Sequence, residues 1–302
     1  MTSLTDKVSG CILGGAVGDA VGLPYEGCDY PVEAVELKGR KISDDTQLTL
    51  ATCEAIIENE GIVDPSLIAS RFASWHENRR ISGIGASTYK ALSELVAGGH
   101  WALVGRKGEY AAGNGAAMRS APLAFCLNPK DNDARQTIRD VSRITHHNEE
   151  AFIGALAVTV AVRAAWSGAW NGQLDLLPHI VESIPDSKVR DRLGEMEQLE
   201  INTPLIDVAR RFGCSGYVVE SVPLALYSAQ RVSLIGFENL MRELISVGGD
   251  TDTIASIAGQ VAGTFLGERG LPRHLVAQLQ EVDFIGSLAH QFAEKVVANG
   301  AG

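Results

Sequence analysis

Aromatic side chains are scarce in this 302-residue chain, at 6%, and none of its five cysteines stands in a CxxC pair. Those cysteines, Cys11, Cys28, Cys53, Cys126 and Cys214, are odd in number and scattered. The pattern argues against a disulfide framework or a zinc knuckle and for free thiols in a reducing compartment. Positive charge is short as well: 26 Lys and Arg face 37 Asp and Glu, a net charge of −11. A surface that grips a nucleic-acid backbone needs the opposite balance, so a polyanion bound in that way is excluded. A small anion held by a few backbone amides and one arginine is not. No uninterrupted apolar run reaches the roughly 18 residues of a membrane span. The apolar opening Val8–Gly22 has Lys7 offset by Asp6, glycine in place of leucine, and Asp19 directly after Ala16-Val17-Gly18. Those features set it apart from a signal peptide, and a cytoplasmic protein is the expectation. GxSxG and HExxH are missing, and no cysteine has an evident histidine partner. Any chemistry is therefore expected from metal-activated water.

Small residues are abundant. Hydrophobic residues make up 45% of the chain and 32 residues are glycine. Gly10, Gly14, Gly18 and Gly22 recur every four residues, which bares one side of a helix and lets another backbone approach. Ala255, Ala258, Gly259, Ala262 and Gly263 repeat the device on a second helix. Between and after them the periodicity predicts helices over 46–60, 65–78, 84–97, 115–127, 133–145, 148–167, 173–183, 187–198, 216–230, 234–247, 273–281 and 284–298. Val32–Leu37 and Trp101–Val104 are the two strand candidates. With no linker and no fixed-period repeat, the expectation is one all-α domain over 1–302 with a dozen or more helices.

Two acidic motifs stand out, each directly before a buried helical run. Ser43-Asp44-Asp45-Thr46-Gln47 precedes one, and Gly249-Asp250-Thr251-Asp252-Thr253 the other, with Asp250 205 positions after Asp45. Capping explains either alone: Ser, Asp and Thr are good N-caps, Asp44 with Gln47 resembles a capping box, and Asp252 suits a helix beginning near Thr253. Capping needs one acid per helix, and each motif has two. If the motifs meet, four carboxylates share one place, and two unit charges about 4 Å apart repel by roughly 4 kcal/mol at an effective dielectric near 20. Protonation or bound cations must relieve that repulsion. Carboxylate and hydroxyl oxygens without His or Cys suit Mg²⁺, then Mn²⁺, and four carboxylates suffice to bridge two ions. Ser43, Asp44, Asp45, Asp250, Asp252 and Thr253 are the metal-ligand candidates. Capping remains an alternative for Asp252 and Thr253.

Gly113-Asn114-Gly115-Ala116-Ala117-Met118-Arg119 opens another predicted helix, where exposed amides would suit phosphate oxygens or form a plain tight turn. Gly83-Ile84-Gly85 reads in the same two ways. His146, in Thr145-His146-His147-Asn148, is a ligand-binding residue or a helix-junction histidine; Glu26 is a loop acid with solvation as its simpler explanation. Asp19 sits inside an apolar helix, where a buried hydrogen bond would account for it.

Taken together, these motifs resemble the ADP-ribosylglycohydrolase family. The matching stretches are GCILGGAVGDAVGLPYEG (10–27), SDDTQLTL (43–50), GIGASTYKAL (83–92), GNGAAMRSAPLAF (113–125), ITHHNEEA (144–151), YVVESVPLALYS (217–228) and VGGDTDTIASIAGQVAG (247–263). The resemblance implies an orthogonal all-α fold with a binuclear Mg²⁺ or Mn²⁺ centre at the base of a cleft. It assigns the six metal candidates above, with Ser43 where many members have Thr. It places diphosphate and distal ribose by Gly113, Asn114, Gly115, Met118 and His146, and gives Glu26, Asp44, Asp45 and Asp252 catalytic duties. The implied reaction is hydrolysis of ADP-ribose from a protein side chain, arginine favoured. Serine-linked, polymeric, nucleic-acid-linked or free ADP-ribose derivatives are the alternative substrates, and a non-catalytic binding or structural relative the alternative class. The implied partner is an ADP-ribosylated protein or small conjugate. No membrane is involved, and nucleic acid enters only as a modified substrate.

Overall fold

The two small-residue stripes face each other. In the computed structural model, which describes residues 3–29, 31–173, 175–200 and 203–299, α1 (Leu4–Gly22) and α14 (Thr251–Leu266) run antiparallel down the middle of the molecule. A methyl group built on Gly10 would lie 2.3 Å from the Gly263 carbonyl oxygen; on Gly14, 2.4 Å from that of Gly259. On Gly18 it would lie 2.1 Å from that of Ala255. Only glycine permits two backbones so close, and α1 is buried from Val8 to Gly22 as a result.

The described residues hold sixteen α-helices. Between the central pair come α2 (Asp44–Glu58), α3 (Pro65–Glu77), α4 (Ala86–Val96), α5 (Leu123–Cys126), α6 (Asn132–Arg143) and α7 (Glu149–Ser167). Then follow α8 (Leu176–Ser183), α9 (Lys188–Glu197), α10 (Leu205–Phe212), α11 (Val218–Ala229), α12 (Val232–Ile235) and α13 (Phe237–Ser246). After α14 come α15 (Arg273–Val276) and α16 (Val282–Ala298). One continuous apolar cluster runs through the molecule, from Val8 and Leu48 through Leu156 and Val222 to Ile257 and Phe292. By length and composition Leu4–Tyr25 and α7 are apolar enough to cross a bilayer, yet 83% and 78% of their apolar windows are buried inside this cluster.

The all-α expectation holds, with local departures, among them the expected 273–281 helix, which is helical only over Arg273–Val276. Neither 32–37 nor 101–104 is a strand: the first is irregular, tied by Val32 N–H to the Ser246 carbonyl, and the second is a turn closed onto the His100 carbonyl. The strands among the described residues are two-residue pieces, Arg106–Lys107 beside His146–His147 in parallel. The span 115–127 is not one helix but a 3₁₀ turn, Asn114–Ala116, then α5. Pro122 has no N–H for the Met118 carbonyl four residues earlier, which takes the Gln260 side chain at 2.7 Å instead. Sequence reasoning passed over α10 and α12, and Leu174, inside the expected 173–183 helix, lies outside the described residues.

Candidate metal and substrate site

The C-terminal end of α1 and the N-terminal ends of α2 and α14 converge, and the two acidic motifs meet there. Asp44, Asp45, Asp250, Asp252 and Thr253 line one cleft of about 570 Å³ together with Glu26, Gly113, Asn114, Gly115, Met118 and His146. Ser43 lies just behind, its hydroxyl 2.7 Å from Asp19 Oδ1 and 3.0 Å from Asp45 Oδ2. The structure thus brings every sequence-chosen residue to one place.

How the helix ends are capped explains which acids remain available. Ser43 sits at the N-cap of α2 but makes no cap with its own side chain. Asp19, reaching from α1, accepts the Ser43 N–H (3.0 Å), the Thr46 N–H (3.1 Å) and the Thr46 hydroxyl (2.5 Å). A cap supplied by a neighbouring helix leaves Asp44 and Asp45 in the first turn of α2, facing the cleft. Nor does Gln47 form a capping box; it bonds the Ile42 carbonyl and Ser82. At the other motif α14 begins at Thr251, two residues before the expected start, so Asp250 takes the N-cap position without a side-chain cap bond. Asp252 Oδ1 accepts the Thr253 N–H at 2.9 Å, so some capping duty does fall on Asp252. Both helix dipoles point their positive ends at the cluster, where negative charge is stabilised.

The electrostatics are strained without a cation. Burial pushes the Asp45 carboxyl well above the usual range, with Asp252, Asp19 and Asp44 adding to it. Asp44 is raised by burial and then by Asp19, and Asp252 is pushed up to about 9 by burial, then by Asp250 and Glu26. Burial lifts Asp19 to about 6 against the pull of its four hydrogen-bond donors on Ser43 and Thr46. Glu26, at the exposed lip, is raised by partial burial and by Asp250. One oxygen, Asp45 Oδ1, is buried with no hydrogen-bond partner. Carboxylate oxygens of Asp19, Asp45 and Asp252 lie within 4.8 Å of one another, and so do those of Glu26, Asp250 and Asp252. Two trios sharing Asp252, all oxygen donors and one of them orphaned, suit hard divalent cations.

The glycine loop forms the opposite wall. Gly113 and Gly115 lie against the edge of the His146 ring; methyl groups there would come to 3.1 Å from Nε2 and 2.8 Å from Cε1. Asn114 uses its side-chain amide on Asp250 (2.6 Å) and Ser221 (3.1 Å), so it ties this wall to the acidic one. His146 is driven down to about 3 by burial first and by the cationic Arg119 and Arg106 next, and is neutral throughout the working range. The loop carrying Glu26 is anchored by paired backbone bonds, Gly27 N–H to the Gly249 carbonyl (2.8 Å) and Gly249 N–H to that of Cys28 (3.1 Å).

Asp19, expected to make a buried hydrogen bond, accepts from four donors on Ser43 and Thr46, and its carboxylate joins the cluster as well. Sequence reasoning missed other contributors. Thr88, Arg106, Tyr110, Ser215 and Gly216 line the cleft as well. Thr88 lies on α4, Arg106 in the short parallel ladder, Tyr110 in a 3₁₀ turn and Ser215 and Gly216 in the loop before α11, and no spacing in the sequence brings these segments together.

Comparison with known proteins finds relatives along the whole chain. The ADP-ribosylglycohydrolase family profile matches residues 1–302. The chain is 28% identical to the ADP-ribosylhydrolase ARH3 of Xenopus tropicalis, over 90% of each sequence. It is 25% identical to the ADP-ribosylarginine hydrolase Tri1 of Pseudomonas putida, covering 96% of this chain and 78% of that one. A solved structure described as an ADP-ribosylglycohydrolase-related protein complex superposes with a TM-score of 0.74 at 25% identity, over 98% of this chain and all of the other.

Proposed function

The chain belongs to the ADP-ribosylglycohydrolase family, and from that premise we propose that it hydrolyses the bond joining ADP-ribose to a protein side chain, with arginine the favoured linkage. The observation that carries this reading is the meeting of four aspartates from two distant motifs in one cleft with the glycine loop and His146. A non-catalytic descendant has no reason to keep that costly cluster of carboxylates together.

Ser43, Asp44, Asp45, Asp250, Asp252 and Thr253 are the residues proposed to hold two Mg²⁺ or Mn²⁺, with Asp19 supporting them from α1. Bound there, such ions supply Lewis acidity that lowers the pKa of water and fixes ribose hydroxyls. The protein's own groups do the rest. Asp44, Asp45 and Asp252 orient the attacking water and stabilise positive charge developing at the anomeric carbon. Gly113 and Gly115 let the ligand backbone approach closely, and neutral His146 offers a donor beside them. Asn114, bonded to Asp250, keeps the two walls in register. Glu26 and Asp250 make the lip negative, and a departing guanidinium suits that potential better than a neutral alcohol does. The name of the Pseudomonas relative agrees. The same floor would serve serine-linked, polymeric, nucleic-acid-linked or free derivatives, since linkage is read at the rim. The free thiols of all five cysteines fit our proposal of a cytoplasmic setting.

The test is a panel of arginine-, serine- and nucleic-acid-linked ADP-ribose, with Mg²⁺, Mn²⁺ or EDTA, scored by release of ADP-ribose. Release from the arginine conjugate alone, abolished by EDTA, is expected. Release only from another member would overturn the arginine assignment, and none from any member the catalytic one.

A further inference from the structure

Arg119 is a fully buried guanidinium for which no carboxylate lies within ion-pairing distance among the described residues. It reaches the Gly115 carbonyl through Nη1, the Val141 carbonyl through Nη2 at 3.3 Å, and the Thr145 hydroxyl through Nη2 at 2.9 Å. That hydroxyl in turn lies 2.7 Å from His146 Nδ1. His146 is 3% exposed, its Nε2 has no hydrogen-bond partner among the described residues, and the ring edge faces the cleft between Gly113 and Gly115.

The proton count along this chain has one economical solution. A guanidinium only donates, so Thr145 Oγ1 must accept from Arg119. Its own proton then has one acceptor in reach, His146 Nδ1. The imidazole, accepting at Nδ1, must carry its proton on Nε2, the nitrogen that faces the cleft. We propose that Arg119 is a positioning residue: acting through Thr145, it holds His146 as the neutral Nε2–H tautomer, so that the ring presents a donor to an anionic oxygen of the ligand at the glycine loop. The same guanidinium holds the Gly115 carbonyl, so ring and loop are aligned by one group. This assignment rests on the proposed function for the identity of the ligand and on hydrogen-bond geometry alone for the tautomer.

Two measurements separate those parts. In ligand-free protein labelled with ¹⁵N-histidine, long-range ¹⁵N–¹H correlation should show His146 with an unprotonated-type shift at Nδ1 and a protonated-type shift at Nε2, the signal being identified by its loss in His146→Gln. Thr145→Val, which removes the hydroxyl at nearly constant volume, should bring the two nitrogens toward tautomer averaging, and Thr145→Ser should restore the native pattern. With an arginine-linked substrate and Mg²⁺, Thr145→Val should raise KM about tenfold, as expected for one ligand hydrogen bond, with kcat changed much less. Thr145→Ser should return KM toward wild type. Arg119→Lys disturbs two carbonyls besides, so the threonine pair decides the matter. A proton on Nδ1 in the wild type, or an unchanged tautomer in Thr145→Val, overturns the relay. Wild-type protein with the expected tautomer but no hydrolysis of any conjugate supports the relay and overturns the function instead.

Discussion

Gly22 is the last residue of α1, and its substitution by alanine tests whether the central seam sets the geometry of the acidic cluster. The backbone there is helical, φ −77°, so alanine brings no backbone strain. The added methyl would lie 2.5 Å from Asp252 Cα, 2.6 Å from the Thr251 oxygen and 2.7 Å from the Asp252 nitrogen. Carbon atoms settle at about 3.5–4.0 Å, so the start of α14 has to retreat by roughly 1 Å. Overpacking of this kind costs about 1–3 kcal/mol, offset by the roughly 0.5–1 kcal/mol that alanine gains over glycine in a helix. The net loss, between about 0 and 2.5 kcal/mol and centred near 1, corresponds at that centre to a Tm lower by roughly 2–4 °C in a domain of this size. Because the displaced residue is Asp252, kcat should fall by about 10²-fold, the usual consequence of a 1 Å error in reacting groups. Gly10→Ala strains the far end of the same seam, where the methyl would meet the Gly263 oxygen at 2.3 Å. It should lower Tm comparably and leave kcat much closer to wild type. Gly286→Ala, inside α16 with nothing within 4 Å of the new methyl, should stabilise by about 0.5–1 kcal/mol and change no rate. Calorimetry with ADP-ribose release under saturating substrate reads all three. Wild-type Tm and kcat in Gly22→Ala, or equal losses of kcat in Gly22→Ala and Gly10→Ala, would refute the reasoning.

Asp250→Asn and Asp252→Asn should each lower turnover by roughly 100-fold or more and remove the rise in Tm that Mg²⁺ or Mn²⁺ gives the wild type; full activity of either variant in EDTA would sink the mechanism. Metal-free protein should lose stability as pH rises from 7 to 8.5. Asp252, raised to about 9 in the folded state, keeps a proton there that the unfolded chain has released, whereas His146, lowered to about 3, is neutral in the folded state and mostly neutral in the unfolded one. The slope is at most about 1.4 kcal/mol per pH unit for each retained proton. Urea titrations in EDTA measure it; a flat or rising profile contradicts the sign, and saturating metal should flatten it. Asp19→Asn places an amide N–H₂ against donors that now bond a carboxylate, and should cost about 1–3 kcal/mol in urea with or without metal. An effect seen only with metal would mean that Asp19 acts mainly as a ligand and not as the cap of α2.

Much of this was legible because it depended on periodicity. Gly10, Gly14, Gly18 and Gly22 announced a backbone contact, and Ala255 to Gly263 supplied most of its partner: Gly10, Gly14 and Gly18 meet Gly263, Gly259 and Ala255, while Gly22 meets Asp252 beyond the stripe. Two acids where a cap needs one announced the cluster. Other features depend on contacts between distant residues and leave no local trace. Asp19 takes over the capping of α2 from 24 positions away, which no spacing rule within α2 reveals. The break in 115–127 was in plain view at Pro122, but the Gln260 side chain that makes the break tolerable is 142 positions from Met118. The two strand candidates failed because β-rich composition in 32–37 and 101–104 met no partner segment, while the short ladder that does form uses Arg106 and His146, residues with no strand signature.

A seam without side chains has no rotamers to populate. Where α1 meets α14 at Gly10, Gly14, Gly18 and Gly22, the contact is backbone on backbone, so warming cannot loosen it by letting methyl groups exchange between wells as an ordinary leucine interface does. The contact is made or lost as a whole. Asp19 and Asp252, side by side where the seam reaches the cleft, therefore inherit a position with little slack, and amides along the seam exchange with solvent only when the entire molecule opens. Such a protein keeps its carboxylates in register up to the temperature at which it unfolds, and forfeits them all at once.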